Sequence, residues 1–323
     1  MIERYPSGNV VYGTLPKGCE LCLRGRKAIL FITGLCTVGC FYCPISLERR
    51  RDVVLINERR ARNFGDLVDE IIKSGATGVG ITGGDPLLKF SRTLNVIRYL
   101  KREFGKCLHI HIYLPTPTVK SYHLSSLVDA EVDEIRLHPI NLETPPDVRW
   151  VSDDISIGLE VPVFPDREGA LRGLMLECPD RGFKFINLNE LEFSETNSRE
   201  LIRRGYRMSS DYVTVMGSAE LGLKMVNWAT RKRLQLTVHF CPRRSKDVYQ
   251  TGLRMYRRGI ICARAYEVVT DCGTLLRGVT CARPDVPHPL YKKYGKGYIT
   301  SPFFGEKIAE CDTTDARTLL NLL

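Results

Sequence analysis

Three cysteines spaced Cys36-Thr-Val-Gly-Cys40-Phe-Tyr-Cys43 form a C-x3-C-x2-C loop. Thiolates are the usual protein ligands of iron–sulfur clusters, and three of them would hold a [4Fe-4S] cluster with its fourth iron open to a small-molecule ligand. The loop follows Ala28 to Thr33, a run that reads as a buried strand and is closed by Gly34, so the triplet is expected at a strand's carboxyl end. A zinc knuckle is the competing reading. Structural zinc generally takes four ligands, commonly as two CxxC-like pairs, and no second pair follows closely behind.

Upstream, Cys19-Glu-Leu-Cys22 has a spacing suited to zinc or to an auxiliary iron–sulfur cluster and needs further ligands. Cys241, in the pair His239-Phe-Cys241, is the nearest partner by residue type, with Cys262, Cys272, Cys281 and Cys311 as competitors. A redox CxxC normally opens a helix after a strand, whereas this one precedes a strand. Cys107 and Cys178 read as ordinary core thiols.

The elements that must position these groups alternate between strand and helix. Amphipathic helices read over Phe64–Ser74, closed by Gly75, and Phe90–Phe104, closed by Gly105, with a shorter one over Ser121–Asp129. Strands read at Ala28–Thr33, Thr77–Thr82, Leu108–Leu114, Val132–His138, Ile155–Val163 and Phe183–Leu191. Six strands with helical or irregular crossovers are the pattern of parallel βα units. After a helix over Gly217–Arg233, an apolar run Leu234–His239 offers a further strand to the sheet. A basic helix over Arg243–Arg258 follows, then two β-rich runs meeting at Asp271-Cys272-Gly273, a hairpin signal. The tail from Arg283 is rich in Pro and Gly before a short helix over Ala316–Leu323. This divides the chain into an N-terminal segment (1–27), a barrel (28–242) and a smaller C-terminal α/β extension (243–323).

Several polar residues stand in or beside the apolar runs of the later strands: Tyr113, Arg136, His138, Glu160, Asn187, Asn189 and Glu190. Buried polar groups need partners, so each reads either as a ligand contact or as a satisfied sheet residue. Gly83-Gly84-Asp85-Pro86 is, taken alone, a turn.

The formal net charge is +10, and residues 199–258 alone carry fourteen Lys or Arg against four acids. Such clustering is the footprint of a polyanion binder, or else a solvated basic surface. The basic helix contributes Arg243, Arg244, Lys246, Arg254, Arg257 and Arg258 as phosphate contacts, with Tyr249 and Tyr256 as stacking faces for unpaired bases. No stretch approaches the roughly 20 apolar residues of a membrane span, and Met1–Pro6 lacks a signal peptide's apolar centre. A soluble, cytoplasmic protein is expected, in which twelve cysteines point to metal binding or catalysis rather than to disulfides.

The cysteine triplet, with an aromatic Tyr42 just before its third member, resembles the signature of the radical S-adenosylmethionine (SAM) superfamily. That resemblance implies a (βα)6 partial TIM barrel with its chemistry at the carboxyl ends of the strands. The open iron would chelate the amine and carboxylate of SAM, an external donor such as ferredoxin or flavodoxin would supply the electron, and reductive cleavage would give a 5'-deoxyadenosyl radical. Tyr42 would pack near the adenine. Gly83, Gly84 and Asp85 match the superfamily's Gly-Gly-Glu-like motif for the SAM amine, with Asp for Glu. The fourth and fifth strands would reach the ribose and carboxylate, making His138 and Glu160 the candidates there, beside Tyr113 and Asn189.

Lys17–Cys22, Phe41–Pro44, Asn187–Glu192 and His239–Cys241 further resemble archaeal radical SAM proteins described as related to pyruvate formate-lyase activating enzyme. That description implies a glycyl-radical activase or a peptide modifier, whereas the basic region argues for tRNA. Among tRNA-modifying enzymes, the expected activity is C-methylation of threonylcarbamoyladenosine beside the anticodon to the hydroxynorvalyl form.

Overall fold

The computed structural model describes residues 1–311 apart from 153, 295 and 306; the helix expected over Ala316–Leu323 lies outside them. In chain order the elements are β1 (Ile2–Arg4), β2 (Val10–Tyr12), α1 (Lys17–Leu23), β3 (Lys27–Phe31), β4 (Leu55–Ile56), β5 (Arg59–Arg60), α2 (Phe64–Ser74), β6 (Gly78–Thr82), α3 (Phe90–Phe104), β7 (His109–Pro115), α4 (Ser121–Asp129) and β8 (Glu134–His138). They continue with β9 (Ser156–Val163), α5 (Glu168–Asp180), β10 (Phe185–Glu190), α6 (Ser198–Arg203), α7 (Ser218–Lys232), β11 (Thr237–Cys241), a π-helix (Ser245–Gly252), α8 (Leu253–Cys262), and strands β12 (Val268–Val269), β13 (Leu275–Thr280), β14 (Tyr291–Tyr294), β15 (Gly297–Thr300) and β16 (Lys307–Cys311).

The main sheet runs β1-β2-β11-β10-β9-β8-β7-β6-β3-β4-β5. From β3 to β11 every neighbouring pair is parallel, so the run expected from Leu234 does extend the sheet, as its seventh parallel strand. Residues from β3, β6, β7, β8, β9, β10 and β11 all line one cavity, which is possible only if the sheet curls into a partial barrel. Alternate positions of its strands, such as Ile110, Ile112 and Leu114, are apolar and at 0 % exposure, because crossover helices cover the outer face, while His111 and Tyr113 between them belong to the other face.

Local signals set the helix ends. Asn63 caps α2, its Oδ1 accepting from the Asp66 amide at 3.0 Å while Asp66 reaches back to the Asn63 amide, and Gly75 closes the helix in the left-handed conformation.

Residues 1–27 join this sheet. β2 pairs antiparallel with β11, and α1 lies across the amino-terminal end of the strands, with Leu21 packed where a Cβ on Gly78 at the start of β6 would stand. The C-terminal strands form a separate five-stranded antiparallel sheet that includes the expected hairpin, β12 pairing with β13. The single basic helix expected over Arg243–Arg258 is instead a π-helix running into α8. α8 packs on α2 and the π-helix packs on α1.

Candidate active site

The cysteine loop leaves the end of β3. Cys36 is exposed, Cys40 and Cys43 are half-buried, and all three are free thiols. Residues just beyond β10 hold the loop: Asn197 Nδ2 donates to the Tyr42 carbonyl at 3.0 Å and Thr196 Oγ1 to the Cys43 carbonyl at 3.1 Å. Phe41 stacks on Phe164 at 5.5 Å between centroids, and the Arg204 guanidinium lies 4.0 Å from the centroid of the Phe41 ring. Sequence reading missed Thr196, Asn197, Phe164 and Arg204, because each meets the loop only through long-range folding.

Gly83 and Gly84 adjoin the triplet at the end of β6. The chain pairs across to the start of the cysteine loop, the Gly84 amide donating to the Thr33 carbonyl at 2.8 Å and the Asp85 amide to the Leu35 carbonyl at 2.7 Å. A Cβ on Gly83 or Gly84 would stand 2.3 Å from one of those same carbonyls. Glycine is therefore required here for the two turns to pack together, and it also leaves both residues lining the cleft.

Asp85 stands behind the glycine turn. It is fully buried, its Oδ1 accepts from the Leu87 amide at 2.9 Å and so caps the turn before α3, and its Oδ2 has no hydrogen-bond partner among the described residues. Replacing Asp85 by Ala is expected to lower the melting midpoint by an amount worth about 1 kcal/mol, as for a lost N-cap, while SAM affinity in equilibrium dialysis stays unchanged.

Tyr42 faces His138 at the end of β8, with the hydroxyl 2.7 Å from Nε2. His138 Nδ1 lies 2.6 Å from the Glu160 carbonyl, which can only accept, so Nδ1 carries the proton. Burial lowers the His138 pKa, leaving a neutral ring whose bare Nε2 accepts from Tyr42. The Glu160 carboxylate accepts from Arg136 Nη1 at 3.1 Å, Asn187 Nδ2 at 2.7 Å and Asn189 Nδ2 at 2.9 Å. His138, Glu160 and Asn189 thus form one network across β8, β9 and β10, with Arg136 beneath it and Tyr113 beside it.

Two cavities meet at this network. One, of about 530 Å³, is the cleft holding Cys36, Cys40, Cys43, Gly83 and Gly84. The other, of about 390 Å³, is a chamber inside the barrel that reaches Cys19, Cys22 and Cys241. Tyr42, Thr82, Tyr113, His138 and Glu160 line both. His239 is not available as a metal ligand beside Cys241, since its ring nitrogens sit 2.9 Å from Asn187 Oδ1 and 2.7 Å from Asn9 Oδ1. Cys178 is a core thiol as expected, whereas Cys107 is exposed.

The basic helix also departs from expectation. Arg254 and Arg258 are 3 % and 4 % exposed, and their guanidiniums pair inward with Glu58 and with Glu70. Lys246 pairs with Glu192 at 3.3 Å, Arg243 with Asp247 at 2.6 Å, and Arg257 reaches the Gly75 carbonyl at 3.5 Å. Arg244 alone of the six is exposed. Lys246, Arg254 and Arg258, which read as phosphate contacts, therefore fasten the π-helix and α8 to the barrel, because Glu192, Glu58 and Glu70, far upstream in sequence, meet them in the fold.

A thiol triplet at the carboxyl end of the first barrel strand, a glycine turn against it and a lined cleft beside both have the chemistry that a SAM-binding iron–sulfur site of the radical SAM class would need. The fit is carried by three free thiols facing one cleft. No family model matches the chain. A Methanocaldococcus jannaschii protein provisionally named a glycyl-radical enzyme activating enzyme is 37 % identical over 292 residues, covering 86 % of this chain and 76 % of that protein. The chain belongs to the radical SAM family that includes this relative, and its cofactors are a [4Fe-4S] cluster and SAM.

Among solved structures, methylornithine synthase matches at a TM-score of 0.40 with 14 % identity over 66 % of this chain and 70 % of its own. Streptococcus suis SuiB matches at 0.42 with 11 % identity, over 67 % of this chain and 49 % of its own. The Kitasatospora setae methyltransferase TsrM matches at 0.37 with 12 % identity, over 60 % and 42 %. The chain thus spans about half the length of SuiB and less than half that of TsrM. Among the described residues no helix is long and apolar enough to cross a membrane.

Proposed function

We propose that this protein is a glycyl-radical activase, which uses SAM to abstract a hydrogen atom from a glycine in a loop of a partner polypeptide. The relationship over 292 residues to a protein bearing that name carries the reading. Bound at the cluster, SAM supplies a 5'-deoxyadenosyl radical on one-electron reduction, the hard chemistry belonging to the cofactor. The chain's own part is positional. Cys36, Cys40 and Cys43 supply the thiolates, Gly83 and Gly84 form the cleft wall, and the Tyr42–His138 pair fixes the boundary between cleft and chamber. Three donors, from Arg136, Asn187 and Asn189, hold the Glu160 carboxylate in place, so the polar wall does not reorganise when a substrate enters. A ferredoxin or flavodoxin would be the electron donor.

A second reading, C-methylation of threonylcarbamoyladenosine in tRNA, is favoured by the net charge of +10. It is weakened by the inward pairing of Arg254 and Arg258. One experiment separates the two. The reconstituted enzyme is turned over anaerobically with SAM, a strong reductant and the soluble proteome of source cells grown on glycine deuterated at Cα, and in parallel with bulk tRNA. An activase transfers deuterium to 5'-deoxyadenosine in the first reaction only. Deuterium-free product from the proteome, with tRNA-dependent product and a nucleoside heavier by one CH2, would overturn the activase reading.

A further inference from the structure

Three thiols that this chemistry does not use meet inside the barrel. Cys19 and Cys22 lie one turn apart on α1, Cys241 ends β11, and all three line the inner chamber. Both α1 thiols are 7 % exposed. The helix that carries them is seated tightly, since a Cβ on Gly18 would stand 2.7 Å from Arg136 Nη2 and 2.9 Å from the His111 ring.

The charges around them are arranged for an anion. Lys27, 5 % exposed and lining the same chamber, makes no ion pair among the described residues, although a buried ammonium ordinarily has a partner. The Arg136 guanidinium donates from Nη2 to Cys19 Sγ at 3.2 Å, and Gln250 Oε1 lies 3.1 Å from Cys22 Sγ.

We propose that Cys19, Cys22 and Cys241 hold a second iron–sulfur cluster inside the barrel, beneath the SAM cleft, with Lys27 as its counter-charge and Arg136 donating to the Cys19 sulfur.

Spacing decides between a cluster and a single ion. A lone zinc about 2.3 Å from each sulfur needs those sulfurs within about 4 Å of one another. Among the described residues, the only trio of potential ligands whose atoms lie within 4.8 Å of one another is His109, His111 and Glu134. In that trio the Glu134 oxygens accept from Arg136 and from the Gly18 amide, whereas His109 Nε2 and His111 Nδ1 have no hydrogen-bond partner among the described residues. Neither Cys36, Cys40 and Cys43 nor Cys19, Cys22 and Cys241 form such a trio, so neither set is arranged around one ion. In a multi-iron core each thiolate binds a different iron, so the sulfurs need not converge on a single point. The proposal is independent of what the radical attacks, because it concerns thiols outside the SAM cleft.

The test removes each triplet separately and rebuilds clusters anaerobically with iron and sulfide. C36A/C40A/C43A is expected to retain iron and acid-labile sulfide in near-equal amounts, with the visible absorbance of a cluster. In the otherwise wild-type chain, C19A/C22A is expected to lower bound iron by about half, as for loss of one of two clusters of similar size. A folded C36A/C40A/C43A protein that binds no iron, or binds zinc without sulfide, would overturn the proposal. So would undiminished iron in C19A/C22A, an arm that decides alone if the triple variant does not fold.

Discussion

Cys40→Ala protein should melt within a few degrees of wild type and yet form no 5'-deoxyadenosine above the enzyme-free rate. The chemistry needs three thiolates on one cluster with the fourth iron left for SAM, and two thiolates cannot keep that geometry. The fold is indifferent to this loss because the loop is secured by other means. The Tyr42 and Cys43 carbonyls are held by Asn197 and Thr196, and Phe41 and Tyr42 pack on Phe164. Truncating one half-buried thiol away from these contacts costs about 1 kcal/mol or less. Product assay by mass spectrometry, with a thermal melt on the same sample, checks both halves. Residual turnover in a folded variant would show that Cys40 does not ligate the catalytic cluster. Iron content should fall without vanishing, since Cys19, Cys22 and Cys241 are untouched.

The barrel was legible because each parallel strand carries apolar residues at every second position or more, and Asn63, Gly75 and Gly105 punctuate the helices between them. The sequence carried the cysteine triplet because the spacing is local. What it could not carry is which distant group each polar side chain meets. Arg254 and Arg258 look identical in sequence to Arg244, and only folding shows that Glu58 and Glu70 claim the first two. Asp85 looked like a ligand because it follows two glycines, yet its carboxylate caps the turn it begins. The short strands β1 and β2 and the helix character of Cys19–Cys22 were also hidden. Three-residue strands show too little alternation to read, and α1 has no side-chain cap. Cys19, Cys22 and Cys241, grouped in the sequence by residue type alone, line one chamber although about two hundred and twenty positions separate Cys241 from the other two.

Replacing Arg136 by Met should produce the largest loss of stability of any single change in the barrel interior. The guanidinium is 2 % exposed and pairs with Glu134, which is fully buried, and with Glu160 at 3.1 Å. It also lies 5.3 Å over the Tyr113 ring and 5.5 Å over Phe185. Methionine fills much of the volume but leaves Glu134 without its counter-charge, and breaking a buried pair in this way costs about 3–5 kcal/mol. Glu160 suffers less, because Asn187 and Asn189 still donate to it. The pH dependence identifies the cause. In the wild type, burial would raise the Glu134 carboxyl, but Arg136, helped by His109 and His111, overrides it and holds the pKa well below the ordinary 4.5. A carboxyl depressed in the folded state contributes stability above its unfolded pKa and loses it as pH falls through the folded value. In Arg136→Met protein the sign reverses, because burial then favours the protonated acid. The deficit relative to wild type should be greatest near neutrality and narrow as pH approaches 4.5, as measured by urea melts of the cluster-free proteins. Glu134→Gln added to Arg136→Met should recover part of the loss at neutral pH and flatten the dependence. A deficit that is the same at both pH values would assign the effect to packing against Tyr113 and Phe185 instead of to the stranded carboxylate.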